Sequence, residues 1–263
     1  MDTGIAGKVA VVTGATRGIG AAMVRSLVAE GASVFGTGRS PESVETARAG
    51  LGDDRRNVVL APADLNDPAA PERLVGLALE TFGRIDFVIN NAASFAYRSL
   101  AELTPADWQE LAQQKLISYS AIIDAARPHL VANKGAVVNV AGIAGCVPTG
   151  ETPHVGAINA GILSTTRFYA ALLAADGVRV NAVSPGDTDT DRRQDRLARL
   201  EATGLSRDGA ERRLSSSIPL GRAVAPSEVA GVAVALCSVQ FASVTGINVL
   251  VDGGRHVHYS VTQ

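Results

Sequence analysis

The sequence predicts one doubly wound α/β domain over residues 1–263, with helices flanking a seven-stranded parallel sheet, and three observations lead there. Short β-branched runs alternate with longer amphipathic segments from end to end, the pattern of parallel strands joined by helical crossovers. Runs such as Val9-Ala10-Val11-Val12 and Val137-Val138 are close to continuously apolar, as in a sheet covered on both faces. The first run passes straight into a glycine-rich turn and an amphipathic segment.

Taken in order, the β-branched and apolar runs place strands at Lys8–Val12, Ser33–Thr37, Val58–Leu60, Phe87–Asn90, Ala136–Val140, Val178–Val183 and Ile247–Val251. Amphipathic stretches between them place helices at Ile19–Glu30, Pro68–Phe82, Thr104–Val131, His154–Ala175 and Pro226–Cys237. There is no internal repeat and no low-complexity linker. One compositional shift stands out, the polar, arginine-rich stretch Asp187–Ser217 that follows a strand. Ligands bind outside the carboxyl ends of parallel strands, so residues 187–217 are expected to form a mobile substrate lid.

At 263 residues, 46% hydrophobic, 19% charged and a net charge of -2, the chain has enough apolar material for one large core and no basic excess for nucleic acid. Neither a leader-like start nor an apolar run of about 18 residues is present, so a cytoplasmic protein without a membrane partner is expected. Cys146 and Cys237 are too few and too far apart for a disulfide framework or zinc site. His256 and His258 alternate near the end without nearby carboxylate or cysteine partners, and no metal site is expected. Lysine occurs only at 8, 115 and 134, which makes any lysine in a cleft noteworthy.

The turn Thr13-Gly14-Ala15-Thr16-Arg17-Gly18-Ile19-Gly20 lets the backbone bend tightly, approach a pyrophosphate and enter a helix whose first amides attract anions. A tight strand-to-helix turn with no ligand is the alternative. Against it, Asp64-Leu65 and Asn90-Asn91-Ala92 end the third and fourth strands and face the same cleft. These motifs, with Asn90-Asn91-Ala92-Ala93, Pro185-Gly186 followed by Thr190, Val244-Thr245-Gly246 and Val251-Asp252-Gly253-Gly254, resemble the classical short-chain dehydrogenase/reductase family over nearly the whole chain. The resemblance implies a Rossmann fold and a nicotinamide cofactor. It assigns Gly14, Thr16, Arg17, Gly18, Ile19 and Gly20 to the phosphates, and Asp64 with Leu65 to the adenine. Asn90, with Asn91 and Ala92, is assigned to the adenosine ribose side, and Pro185, Gly186 and Thr188 to Thr190 to the nicotinamide carboxamide.

Charge argues for NADPH over NADH. Members preferring NAD carry an acid after the second strand, whereas this chain has Thr37-Gly38-Arg39-Ser40. Arg39 is expected to face a 2′-phosphate, with Arg17 as a second cation at the same pocket edge; the alternative is two solvated surface charges.

The family's reaction uses an asparagine, a serine, a tyrosine and a lysine four residues beyond the tyrosine. By resemblance Gly142 stands at the serine, Val155 at the tyrosine, Asn159 at the lysine and Lys115 at the asparagine. Asparagine and lysine thus look exchanged, so that Asn159 bonds the ribose and Lys115 supplies charge from the opposite helix, unless Lys115 merely points to solvent. Glycine and valine offer neither an acid nor an oxygen-polarising group, which disfavours alcohol and ketone chemistry. They also widen the cleft for a bulky substrate.

An acceptor that needs no oxygen protonation, such as an iminium from an imine or hemiaminal, remains open, with Asp187 and Asp189 as carboxylates to favour the cation. Helix capping or solvation is their alternative role. His154 is a candidate surrogate acid, turned by ~100° from the tyrosine position, and Tyr97 a candidate cleft residue. Non-redox enzymes of this fold (cyclase, dehydratase, isomerase) and a cofactor-binding pseudoenzyme are the competing classes. By resemblance the two long helices and the Asp252-Gly253-Gly254 end are subunit surfaces, giving a homodimer or homotetramer.

Overall fold

The computed structural model describes residues 2–94, 100–148 and 152–260. Seven strands, β1 (Val9–Val12), β2 (Ser33–Gly38), β3 (Val58–Pro62), β4 (Phe87–Asn90), β5 (Ala136–Val140), β6 (Arg179–Pro185) and β7 (Asn248–Val251), form one sheet in the order β3-β2-β1-β4-β5-β6-β7. Every neighbouring pair is parallel. The chain changes direction across the sheet between β1 and β4, so their carboxyl ends border the crevice in which such folds place ligands.

Alternation along each strand sorts side chains into two cores. From β1, Ala10 and Val12 join Met23, Val24 and Leu27 of α1 (Gly18–Ala29) on one face, where α2 (Pro41–Ala49) adds Val44. Val11 points to the other face, against Leu74 and Ala78 of α3 (Ala70–Phe82). The long helix expected over Thr104–Val131 is interrupted: α4 (Pro105–Leu111) passes through a six-residue π-helical stretch, Ala112–Ile117, into α5 (Ser118–Asn133). Periodicity reads one amphipathic helix here because a widened turn changes side-chain direction without any glycine or proline to mark it. α6 (Pro153–Leu173) packs beside them.

The stretch expected as a lid carries two helices, α7 (Asp191–Ala202) and α8 (Arg207–Ser215), and α9 (Pro226–Cys237) then lies on the α1 face. The α2 segment was not among the expected helices, although Ser40-Pro41 followed by Ser43 forms a reciprocal cap. Among the described residues, no helix is long and apolar enough to cross a membrane.

Candidate active site

The glycine turn is clamped from β4. Thr13 Oγ1 accepts from the amides of Asn91 (3.0 Å) and Ala92 (3.1 Å), while Asn91 Nδ2 donates to the carbonyls of Thr13 (3.0 Å) and Gly14 (3.1 Å). Gly14 and Gly18 have φ of +64° and +54°, and a Cβ on Gly20 would stand 2.0 Å from Gly14 O, so side chains are excluded by both backbone shape and space. No side chain caps α1 and its first turn holds no acid, which leaves the helix end suited to an anion. The residues present therefore fit a dinucleotide's pyrophosphate.

Around this turn, Thr16 Cγ2 lies beside Gly38 and Ile19 packs on the core. Thr190 reaches within 3.3 Å of where a Gly18 Cβ would be, so the stretch after β6 touches the phosphate turn. Pro185 ends β6, the Gly186 amide donates to Val251 O (2.9 Å), and Thr188 Oγ1 donates to Gly186 O (3.2 Å). Asp64 is exposed and accepts from the Asn66 amide (3.0 Å), while the Leu65 side chain is core.

Two expectations for this half change. Asn90 is fully buried, and its Nδ2 donates to Asn139 Oδ1 (2.9 Å) and Tyr119 O (3.3 Å). Its amide braces β4 to β5 instead of facing a ribose, because its position at a strand end points it inward while Asn91 points to the turn. Arg17 and Arg39 are also turned to separate partners: Arg17 pairs with Asp191 at 3.6 Å, and exposed Arg39 donates to Ser94 Oγ at 3.1 Å.

Lys115, Gly142 and Asn159, at three of the positions that the resemblance assigns to catalysis, meet in one corner. Lys115 lies in the π-helical stretch and is buried, its Nζ donating to Ala141 O (2.8 Å) and Asn159 Oδ1 (2.5 Å). It does not point to solvent. Burial brings its ammonium down to about 7, the Arg192 guanidinium on α7 adding to the effect. The Asn159 amide stands against Gly142, Nδ2 lying 2.8 Å from where a Cβ would be, so the room expected from the glycine is already filled. Val155 packs in an apolar cluster with Leu111, Ala141 and Ile158.

The carboxylates and His154 are held elsewhere. Asp187 is buried with both oxygens committed, to Arg193 (3.0 Å) and Arg196 (2.7 Å), which makes it an anchor for α7 in place of the expected partner for a substrate cation. Asp189 is exposed and accepts from Gln194 Nε2 (2.8 Å). His154 is buried against Trp108 of α4, ring centroids 5.9 Å apart. Burial holds its imidazole below the usual value, with the Asp107 carboxylate opposing, which favours a neutral ring. His256, expected to lack a nearby carboxylate, has one four residues before it, its Nδ1 lying 2.8 Å from Asp252 Oδ2. Tyr97 lies outside the described residues. A group missed by sequence reasoning is Tyr119, whose buried hydroxyl donates to Ala92 O (3.0 Å) and steadies the Asn91-Ala92 clamp; its spacing of four from Lys115 was the available signal.

Comparison with known proteins bears on the family and the fold. Residues 14–256 match the family model described as enoyl-(acyl carrier protein) reductase. The chain is 32% identical over 247 residues to meso-2,3-butanediol dehydrogenase of Serratia marcescens, covering 94% of each chain. It is 35% identical to the granaticin polyketide synthase putative ketoacyl reductase 2 of Streptomyces violaceoruber, covering 95% of this chain and 96% of that one. Among solved structures, L-sorbose reductase from Gluconobacter frateurii complexed with NADPH and L-sorbose superposes with a TM-score of 0.91 at 26% identity, covering 97% of this chain and 99% of that one.

Proposed function

This chain belongs to the classical short-chain dehydrogenase/reductase family, and on that premise we propose that it is an atypical NADPH-dependent reductase whose acceptor is an activated C=N group, an imine, iminium or hemiaminal-derived species. The family is one of NAD(P)-dependent oxidoreductases, and the Gluconobacter relative is described with NADPH. The Gly14-Gly18-Gly20 turn and the uncapped end of α1 would hold the pyrophosphate, and Arg39 the 2′-phosphate. The bound cofactor supplies hydride.

One observation carries the acceptor class. Where the resemblance places a serine and a tyrosine, the corner holds an asparagine amide against Gly142 and an apolar cluster around Val155. Neither hydroxyl acid is present, whereas an iminium carbon accepts hydride and yields a neutral amine without protonation at oxygen. Asn159 and the Ala141 carbonyl orient the ammonium of Lys115, and the Tyr119 hydroxyl fixes the Ala92 carbonyl beside the turn. Ile117, Phe168 and Leu172 are exposed apolar residues on or next to α5 and α6, which supports a homodimer or homotetramer.

The test is transfer of label. NADPH carrying deuteride is incubated with a panel of ketones, enones, imines and hemiaminals, and deuterium is sought at carbon in the product. Label in amines supports the assignment; reduction of simple ketones at rates typical of the family would reject it, and turnover without label transfer would favour a non-redox enzyme of this fold.

A further inference from the structure

We propose that Lys115 is the acid of this active site, passing an ammonium proton to the acceptor nitrogen from the corner beside Gly142. The proposal rests on the C=N assignment above and gives it a proton source. Three observations converge. The side chain is 6% exposed yet pairs with no carboxylate among the described residues. Its ammonium has three hydrogens, and among the described residues two are held by neutral acceptors, Ala141 O and Asn159 Oδ1, which leaves one for a substrate atom. Both acceptors adjoin Gly142, and Ala141 belongs to the apolar cluster of Val155, so the lysine reaches the corner from which both hydroxyl acids are missing.

Electrostatics supports the geometry. The end of β5 and α6 face Nζ with a carbonyl and an amide, and the charged group whose field reaches it is Arg192 of α7, a cation. An ammonium so placed releases its proton near neutrality, in the range where a general acid is most effective. In the proposed step an N–H bond of Lys115 breaks as an N–H bond forms on the imine nitrogen through its lone pair. The carbon accepts hydride from reduced nicotinamide, the C=N π pair becomes the nitrogen lone pair, and the neutral lysine regains a proton from water.

The experiment compares a neutral cyclic imine with its N-methyl iminium salt, which has no lone pair and needs no proton. Lys115→Gln is expected to lose about 10²- to 10⁴-fold more in kcat/KM on the imine than on the salt, whatever loss the two share from disturbing the Asn159 contact. Equal loss on both would make Lys115 a positioning residue and overturn the proposal. A second readout needs neither turnover nor a variant: with lysines only at 8, 115 and 134, ¹³Cε-lysine labelling gives three titration curves. One midpoint near neutrality supports the acid; three midpoints near about 10 overturn it. If wild type reduces neither acceptor, the C=N assignment fails and the titration alone decides the state of Lys115.

Discussion

Asn159 occupies the space that a side chain on Gly142 would need: its Nδ2 lies 2.8 Å from the position of a Cβ there, while its Oδ1 accepts from Lys115 Nζ at 2.5 Å. Glycine, asparagine and lysine at these three positions therefore depend on one another. The amide fits only because residue 142 has no side chain, and the lysine is held because the amide turns its oxygen away from Gly142.

Restoring a serine at 142 should accordingly cost stability. Gly142 has φ 156° and ψ 151°, a region populated almost only by glycine, and the new Cβ would press on Asn159. Gly142→Ser is expected to destabilise the protein by about 1–3 kcal/mol in urea unfolding. In an Asn159→Ala background the cost should fall by about 0.5 kcal/mol or more, the coupling expected of residues in contact. Additive effects would show that the two positions do not share space.

The buried ammonium also makes stability depend on pH in a specific direction. Lys115 is lowered from 10.5 to about 7, so its charged form is disfavoured in the folded state. The penalty is fully present below about pH 7 and is relieved as pH rises towards 10.5, because there the unfolded chain binds a proton that the folded one does not. Wild type should thus gain stability between pH 7 and 9.5 relative to Lys115→Met, whose own slope lacks this term. Parallel pH profiles of the two proteins would contradict a desolvated ammonium.

Cofactor preference gives an independent check on the exposed edge of β2. Arg39 is solvent-facing, and its contact is the Ser94 hydroxyl at 3.1 Å, so it is available to an added phosphate. Arg39→Asp should lower the ratio of NADPH to NADH affinity about tenfold or more, the size of a charge-assisted hydrogen bond. Binding titrations with both nucleotides measure it; an unchanged ratio would remove Arg39 from phosphate recognition. Because Arg17 turns to Asp191, Arg17→Ala should move the ratio less.

What the sequence made legible follows from how local each cause is. Strand order and the glycine turn come from short patterns, the β-branched runs and Gly14, Gly18 and Gly20, whose backbone shape is set within a few residues. That Lys115 and Asn159 deserved attention was also legible, because both sit at fixed spacings within recognisable segments, and the structure brings the two side chains into contact. The fate of Asn90, Asp187 and Gly142 was not, because each depends on a neighbour distant in sequence: Asn139 across the sheet, Arg193 and Arg196 on α7, and the Asn159 amide on α6. The π-helical stretch around Lys115 escaped for the same reason, since tertiary packing alone marks it.

Asp187 gives the last prediction. It lies just past β6, buried, with Arg193 on one oxygen and Arg196 on the other; Arg193, itself only 3% exposed, also pairs with Glu211 of α8 at 2.8 Å. One carboxylate thus ties both helices of the 187–217 segment to the sheet. Removing one member of a buried ion pair leaves the other charge desolvated and uncompensated, at a cost of about 3–5 kcal/mol. Asp187→Asn keeps the volume but not the charge, so it should unfold at lower urea and make the arginines of residues 187–217 early sites of tryptic cleavage. If the role were instead to attract a substrate cation, the same variant would keep its stability and protease resistance and lose only KM for cationic acceptors. Midpoint, cleavage map and KM measured on one preparation separate the two, and the geometry places the effect on the first pair.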